Sequence, residues 1–129
     1  KRQHVGHGAM IHGATLERNC MIGMNAVVLD GAVIGSESIV GALALVKSKA
    51  TFERRSLVLG NPAVRKGEVS EDMVAHKTAG TALYQTLPME CQSELVPAEP
   101  LSNILDQRPE VFPTFETWQS RKAKDDSTT

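Results

Sequence analysis

The sequence predicts an all-β solenoid, a stack of short strands and tight turns, followed by an α-helix and an extended tail. Three observations lead there. From Val5 onward an aliphatic residue recurs at Ile11, Leu16, Ile22, Val28, Ile34, Val40 and Val46, every step being six residues except the step of five from Ile11 to Leu16. Four positions after the aliphatic residue stands a small one: Ala9, Cys20, Ala26, Ala32, Ser38, Ala44 and Ala50, with Thr15 filling the remaining slot. Aromatic residues make up only 4% of the 129-residue chain. That is too few for a core built on Phe and Trp, so the aliphatic ladder must supply the interior.

A period of six is neither the 3.6 of a helix nor the simple alternation of a half-buried strand. An aliphatic and a small side chain turned inward, with glycine at a corner, suit a short strand and a tight turn repeated. Glycine follows the aliphatic residue at Gly6, Gly23, Gly35 and Gly41, where a corner asks for backbone angles that a Cβ disfavours. Stacked rungs then bury one continuous ladder of Ile and Val. Residues 1–66 are read as such coils.

Residues 67–96 read as a helix packed on the coils. Ser70 is a good N-cap, and Glu71 and Asp72 suit the positive end of the helix dipole. Met73, Leu83, Leu87, Cys91 and Leu95 form an apolar stripe that needs a surface to cover. Pro88 interrupts the stripe and is expected to kink or end the helix. Residues 97–129 contain Pro97, Pro100, Pro109 and Pro113 and close on "KAKDDSTT", the composition of an extended, partly disordered tail. Within it, Phe112, Phe115 and Trp118 are the residues suited to pin a portion to the body or to a partner.

Charge excludes some partners. With 14 basic and 15 acidic side chains the net charge is −1, which gives no reason to expect nucleic acid or a membrane surface. No apolar run approaches the roughly 18 residues of a membrane span. The opening "KRQHVGHG" has no apolar signal-peptide core; it also lacks a methionine and starts inside patterned sequence, which reads as a truncated or processed start. Cys20 and Cys91 form no CxxC motif and fit free thiols of a reducing cytoplasm. Cys20 occupies a small-residue slot and is read as interior filler.

The most informative stretch is "HVGHGAMIHGA", residues 4–14, with His4, His7 and His12 in nine positions. His7 and His12 are each followed by a glycine. In a three-sided solenoid with one hexad per side they fall on adjacent sides and point toward different edges. They share a metal most simply when a neighbouring chain supplies one of them, as threefold packing allows. The alternative is a pair of polar residues on solenoid turns. Asn25 occupies a turn position that asparagine tolerates, and His76 is read as an ordinary helix residue. Arg54, Arg55, Arg65 and Lys66 flank the exit from the coils, where a CoA phosphate would find them, although exposed basic residues there are commonplace.

"HVGHGAMIHG", "GMNAVV…DGAVIG" and "LVLGNPAVRKGEVSED" together resemble the hexapeptide-repeat left-handed β-helix proteins, and within them the γ-carbonic-anhydrase-like group. The closest subgroup is that of bacterial phenylacetate degradation and carnitine metabolism. The resemblance runs from about residue 3 to residue 100 and corresponds to the C-terminal half of such proteins. It implies a left-handed β-helix and a homotrimer with a metal, zinc or another divalent ion, at each subunit boundary, held by three histidines from two chains. His7 and His12 match two of these ligands; the third lies upstream, in coils this chain lacks, and His4 matches none. Three neutral imidazoles at about 2.0–2.1 Å leave a tetrahedral position open. Water there has a pKa near about 7, so hydroxide is available to attack a carbonyl carbon.

The subgroup implies a small-molecule substrate, an acyl-CoA thioester, with carbon dioxide as the competing electrophile. Tyr84, the single tyrosine, matches the helix tyrosine that reaches toward the metal in γ-class relatives and is the catalytic candidate. Ala82 and Leu83 precede it where those relatives are rich in asparagine. No organic cofactor site is read. Two other functions remain: a hexapeptide-repeat CoA-dependent acyltransferase with one histidine as general base, and a non-catalytic trimeric scaffold.

Overall fold

Nine strands of two residues each trace three coils of a left-handed parallel β-helix. The computed structural model describes residues 3–100, 102–103 and 117. β1 (His4–Val5), β2 (Met10–Ile11) and β3 (Thr15–Leu16) form the first coil. β4 (Met21–Ile22), β5 (Val27–Val28) and β6 (Val33–Ile34) form the second, and β7 (Ile39–Val40), β8 (Leu45–Val46) and β9 (Thr51–Phe52) the third. Each strand pairs in parallel with the one a coil later, which gives three sheets, one per side. The inward ladders are Val5–Ile22–Val40, Ile11–Val28–Val46 and Leu16–Ile34–Phe52. Ile22, Val28, Ile34, Val40 and Val46 are fully buried, as the six-residue period requires.

The step of five has a structural consequence. It shortens the first coil, so Ile11 pairs with Val28 seventeen positions on, whereas Val28 pairs with Val46 eighteen on. The residue lost comes from the corner between β2 and β3. The inner small residue there is therefore Ala14, packed against the core, and not Thr15, which is exposed.

The small slots at one corner are polar. Ser38 Oγ donates to the Glu53 carbonyl at 3.0 Å, Ser56 Oγ to the same carbonyl at 2.8 Å, and Cys20 Sγ to Gly35 O at 3.3 Å. Burial pushes the Cys20 thiol up from its ordinary value, which makes it inert filler. At the start of the ladder Gln3 Nε2 donates to the carbonyls of Leu16 and Glu17 at 3.1 and 2.8 Å. At the other end β10 (Ser56–Leu59) pairs with β7, and the chain returns antiparallel as β11 (Val64–Glu68).

Helix α1 runs from Glu71 to Glu94. Ser70 caps it: its Oγ accepts from the Met73 amide at 3.2 Å. The chain divides into two compact units, Lys1–Met89 and Glu90–Thr129. Within the first unit the buried helix residues are Lys77, Gly80 and Thr81. This corrects the expected apolar stripe: Met73, Leu83 and Leu87 are only half-buried, and Cys91 and Leu95 are exposed. The helix docks through hydrogen bonds and small side chains. Nor does it end at Pro88, which lies inside it; proline there removes the amide that would bond to the Tyr84 carbonyl and crowds that carbonyl with its ring. In the second unit residues 95–100 are exposed and carry no regular secondary structure. Phe112, Phe115 and Trp118 lie outside the described residues, and no described helix is long and apolar enough to cross a membrane.

Candidate functional site

His7 lies just after β1, at the corner leading to β2, and His12 just after β2, at the corner leading to β3. Both are exposed. One chain therefore sets them on successive corners, as their spacing on adjacent hexads implied. Among the described residues no three His, Cys, Asp or Glu side chains form a metal-binding group.

The two corners differ in length, four residues after β1 and three after β2, but each sets its glycine over a short polar side chain. Because the first coil has seventeen residues, Gly8 stacks over Asn25 and Gly13 over Asp30. At the His12 corner the imidazole Nδ1 lies 3.0 Å from the Asp30 carboxylate. Gly13 stands at φ +59, and a Cβ on it would come within 2.5 Å of Asp30 Oδ1. At the His7 corner Gly8 stands at φ +68, and a Cβ there would collide with Asn25 Oδ1. The Asn25 amide donates to the His7 carbonyl at 2.9 Å. The glycine after each histidine thus leaves room for a short polar side chain from the next coil.

A groove of about 590 Å³ lies between the first sheet and α1. His4, His7, Tyr84 and Gln85 line it along with apolar Met21 and Ile39. Tyr84 meets His4 edge to face, ring centroids 5.1 Å apart. The structure thus brings Tyr84, His4 and His7 to one groove and leaves His12 out of it.

Two of the four basic residues at the coil exit, Arg54 and Arg55, are engaged. Arg54 donates to Glu37 at 2.7 and 3.1 Å, and Arg55 donates to Glu37 at 2.9 Å and to Glu71 at 3.5 Å. Hydrogen bonds from Arg55 and then Arg54 hold the Glu37 carboxyl below its ordinary value. Lys77 is buried and donates to the Asn19 carbonyl, and burial lowers its pKa. Arg54 and Arg55 are thereby committed to a carboxylate cluster, not free for a phosphate. Asp30 was missed in the sequence. Its signal was there, since it lies one seventeen-residue coil after Gly13, but only once the short step is placed.

Stacked hexads with polar residues under histidine-bearing corners define a hexapeptide-repeat protein, and residues 13–48 match the bacterial transferase hexapeptide family (six repeats). The chain is a member of that repeat class and a homologue of the carnitine operon proteins. It is 40% identical over 118 residues to carnitine operon protein CaiE of Escherichia coli (strain K12), covering 92% of this chain and 60% of that protein. It is 37% identical over 113 residues to the CaiE of Proteus sp. (strain LE138), covering 88% and 57%. The chain thus spans about 60% or less of the length of these relatives. Among solved structures, a Bacillus cereus protein described as an acetyltransferase superposes with a TM-score of 0.68 at 26% identity, over 70% of this chain and 53% of that one. A hexapeptide transferase family protein of Anaplasma phagocytophilum, 23% identical with a TM-score of 0.63 over 68% of this chain and 60% of that one, shares the fold.

Proposed function

We propose that this chain carries two of the metal-binding histidines of a trimeric, γ-carbonic-anhydrase-like enzyme acting on an acyl-CoA thioester. The observation that carries this is the His12 corner: Nδ1 is engaged by Asp30 on a side chain 68% exposed, which leaves Nε2 as the ligand atom. Metal-binding histidines are typically held this way, with a carboxylate on the other ring nitrogen. The donors fit, since imidazole suits zinc and its neighbours, and one chain contributes His7 and His12 to different boundaries. A divalent metal there supplies a water acidic enough to be nucleophilic near neutral pH. The chain's own part is to present the two imidazoles and to hold the substrate in the groove that runs to His7. Met21 and Ile39 take its apolar portion, and Tyr84 places a hydroxyl beside the reacting carbonyl. Carbon dioxide hydration would use the same site.

A second reading, CoA-dependent acyl transfer, is favoured by the transferase hexapeptide match and the likeness to the Bacillus cereus protein. In it His7 or His4 serves as general base in the groove. Native mass spectrometry of the purified chain with and without zinc separates these. The expected result is a trimer that takes up metal, weakly with two histidines per boundary, and loses it in His7→Ala and in His12→Ala; thioester hydrolysis is then assayed on that metal-loaded trimer. CoA binding without metal would favour the transferase, and a trimer that binds neither would leave a scaffold.

A further inference from the structure

We infer that Asp30 is a positioning residue that fixes the tautomer of His12. The inference rests on the metal reading only for its effect on metal binding. An ionised carboxylate offers acceptors and no donor, so at 3.0 Å from Nδ1 it selects the imidazole form with hydrogen on Nδ1. The lone pair then sits on Nε2, and the contact favours one orientation of the ring. Three features of the sequence produce this geometry together. The pairing of Ile11 with Val28 sets Asp30 under Gly13, each two residues after its inward aliphatic. Gly13 leaves the carboxylate room, since a Cβ would stand 2.5 Å from Asp30 Oδ1 and 3.5 Å from Asp30 Cα. The corner is rigid: Gly31 N–H donates to the Gly13 carbonyl at 2.8 Å and His12 N–H to the Val28 carbonyl at 2.9 Å. His12 is thus carried by two stacked coils, its backbone held by one hydrogen bond and its ring by another.

The glycine after a histidine thereby gains a role beyond its turn. At the His12 corner it opens the space through which a side chain of the next coil reaches the preceding residue; the Asn25 amide bond to the His7 carbonyl recurs at Met24 and Arg18, where no glycine follows. The tautomer is directly measurable. Long-range ¹H–¹⁵N correlation spectra of the ¹⁵N-labelled full chain, taken alkaline of the ordinary imidazole pKa of about 6.5, should show His12 with hydrogen on Nδ1. Asp30→Ala should shift it toward the Nε2–H form that free imidazole favours. Gly13→Ala, which keeps both partners but crowds the carboxylate, should do the same. Asp30→Asn keeps the side chain's size but offers Nδ1 a donor as well as an acceptor, so it should lose the fixed tautomer while leaving the fold intact, which separates positioning from general damage to the fold. Zinc binding followed by calorimetry should weaken about 10–100-fold in Asp30→Ala.

Nε2–H on His12 in the wild type, or a tautomer indifferent to Asp30→Ala, would overturn the inference; zinc affinity unchanged in Asp30→Ala would overturn the role given to that tautomer in metal binding. An Asp30-dependent tautomer in a chain that binds no zinc would uphold it while removing the metal reading.

Discussion

At the scale of single residues, the corners decide most. Among the described residues six non-glycine residues stand at positive φ, and two of them, Asn19 and Asn25, are of the type that tolerates it. Leu43 is the least suited: it sits at φ +59, one coil beyond Asn25, with its side chain 71% exposed. A side chain of that kind in the left-handed region costs about 1–2 kcal/mol, and at this exposure little burial offsets it. Leu43→Asn is expected to stabilise the chain by about 1 kcal/mol, read as a higher Tm by calorimetry. A lower Tm would mean that Leu43 makes contacts worth more than its backbone strain. The candidate site was legible at this scale for residues whose chemistry is their own: three histidines among glycines, and one tyrosine on a helix. Asp30 was not, because its role depends on register. An error of one residue in coil length would place it under His12 and hide its fit beneath Gly13.

Among elements, the strands were legible and the helix face was not. A period of six survives any local propensity because each aliphatic residue lies against the coils on both sides, and the ladder Val5–Ile22–Val40 tests this. Ile22 is fully buried between two neighbours, whereas Val5 begins the ladder and is 46% exposed. Ile22→Ala is expected to cost about 2–5 kcal/mol and Val5→Ala well under about 1 kcal/mol, measured by urea titration. Equal costs would show that the first coil is covered in solution as fully as the second. The helix defeated the apolar-stripe argument because its docking is polar. Asn19 Nδ2 donates to Thr78 Oγ1 at 3.0 Å, Lys77 reaches the Asn19 carbonyl, and Gly80 and Thr81 are small enough to be buried. Hydropathy has no way to mark such a face. Of the two outcomes expected at Pro88, a kink or an end, the helix does not end there.

Across the whole first unit, one column of corner residues ties helix to coils. Asn19, Glu37 and Arg55 stack at successive coils, all at positive φ, and the helix meets the first through Lys77 and Thr78 and the last through Glu71. The dimensions agree. Seven helical residues rise about 10.5 Å, and two coil spacings of about 4.8 Å span about 9.6 Å. Glu37 is the hinge of this column, accepting from both Arg54 and Arg55 while Arg55 also reaches the helix. Its carboxyl is held below the ordinary value of 4.5, first by the Arg55 hydrogen bond. A depressed carboxyl contributes stability that is fully present above the unfolded value and is lost as pH falls through the folded one. The wild type should therefore lose stability on acidification below about pH 4.5 by an amount that Glu37→Gln does not. At pH 7 the variant should be less stable by about 1 kcal/mol, a figure kept low because Arg54 is 62% exposed and solvent screens it. The two melting curves should converge toward pH 3, and at pH 7 about 1 M salt should narrow the gap between them. Parallel Tm profiles from pH 7 to pH 3 would show that the cluster orders the corner without stabilising it, leaving Asn19, Lys77 and Thr78 to hold the helix.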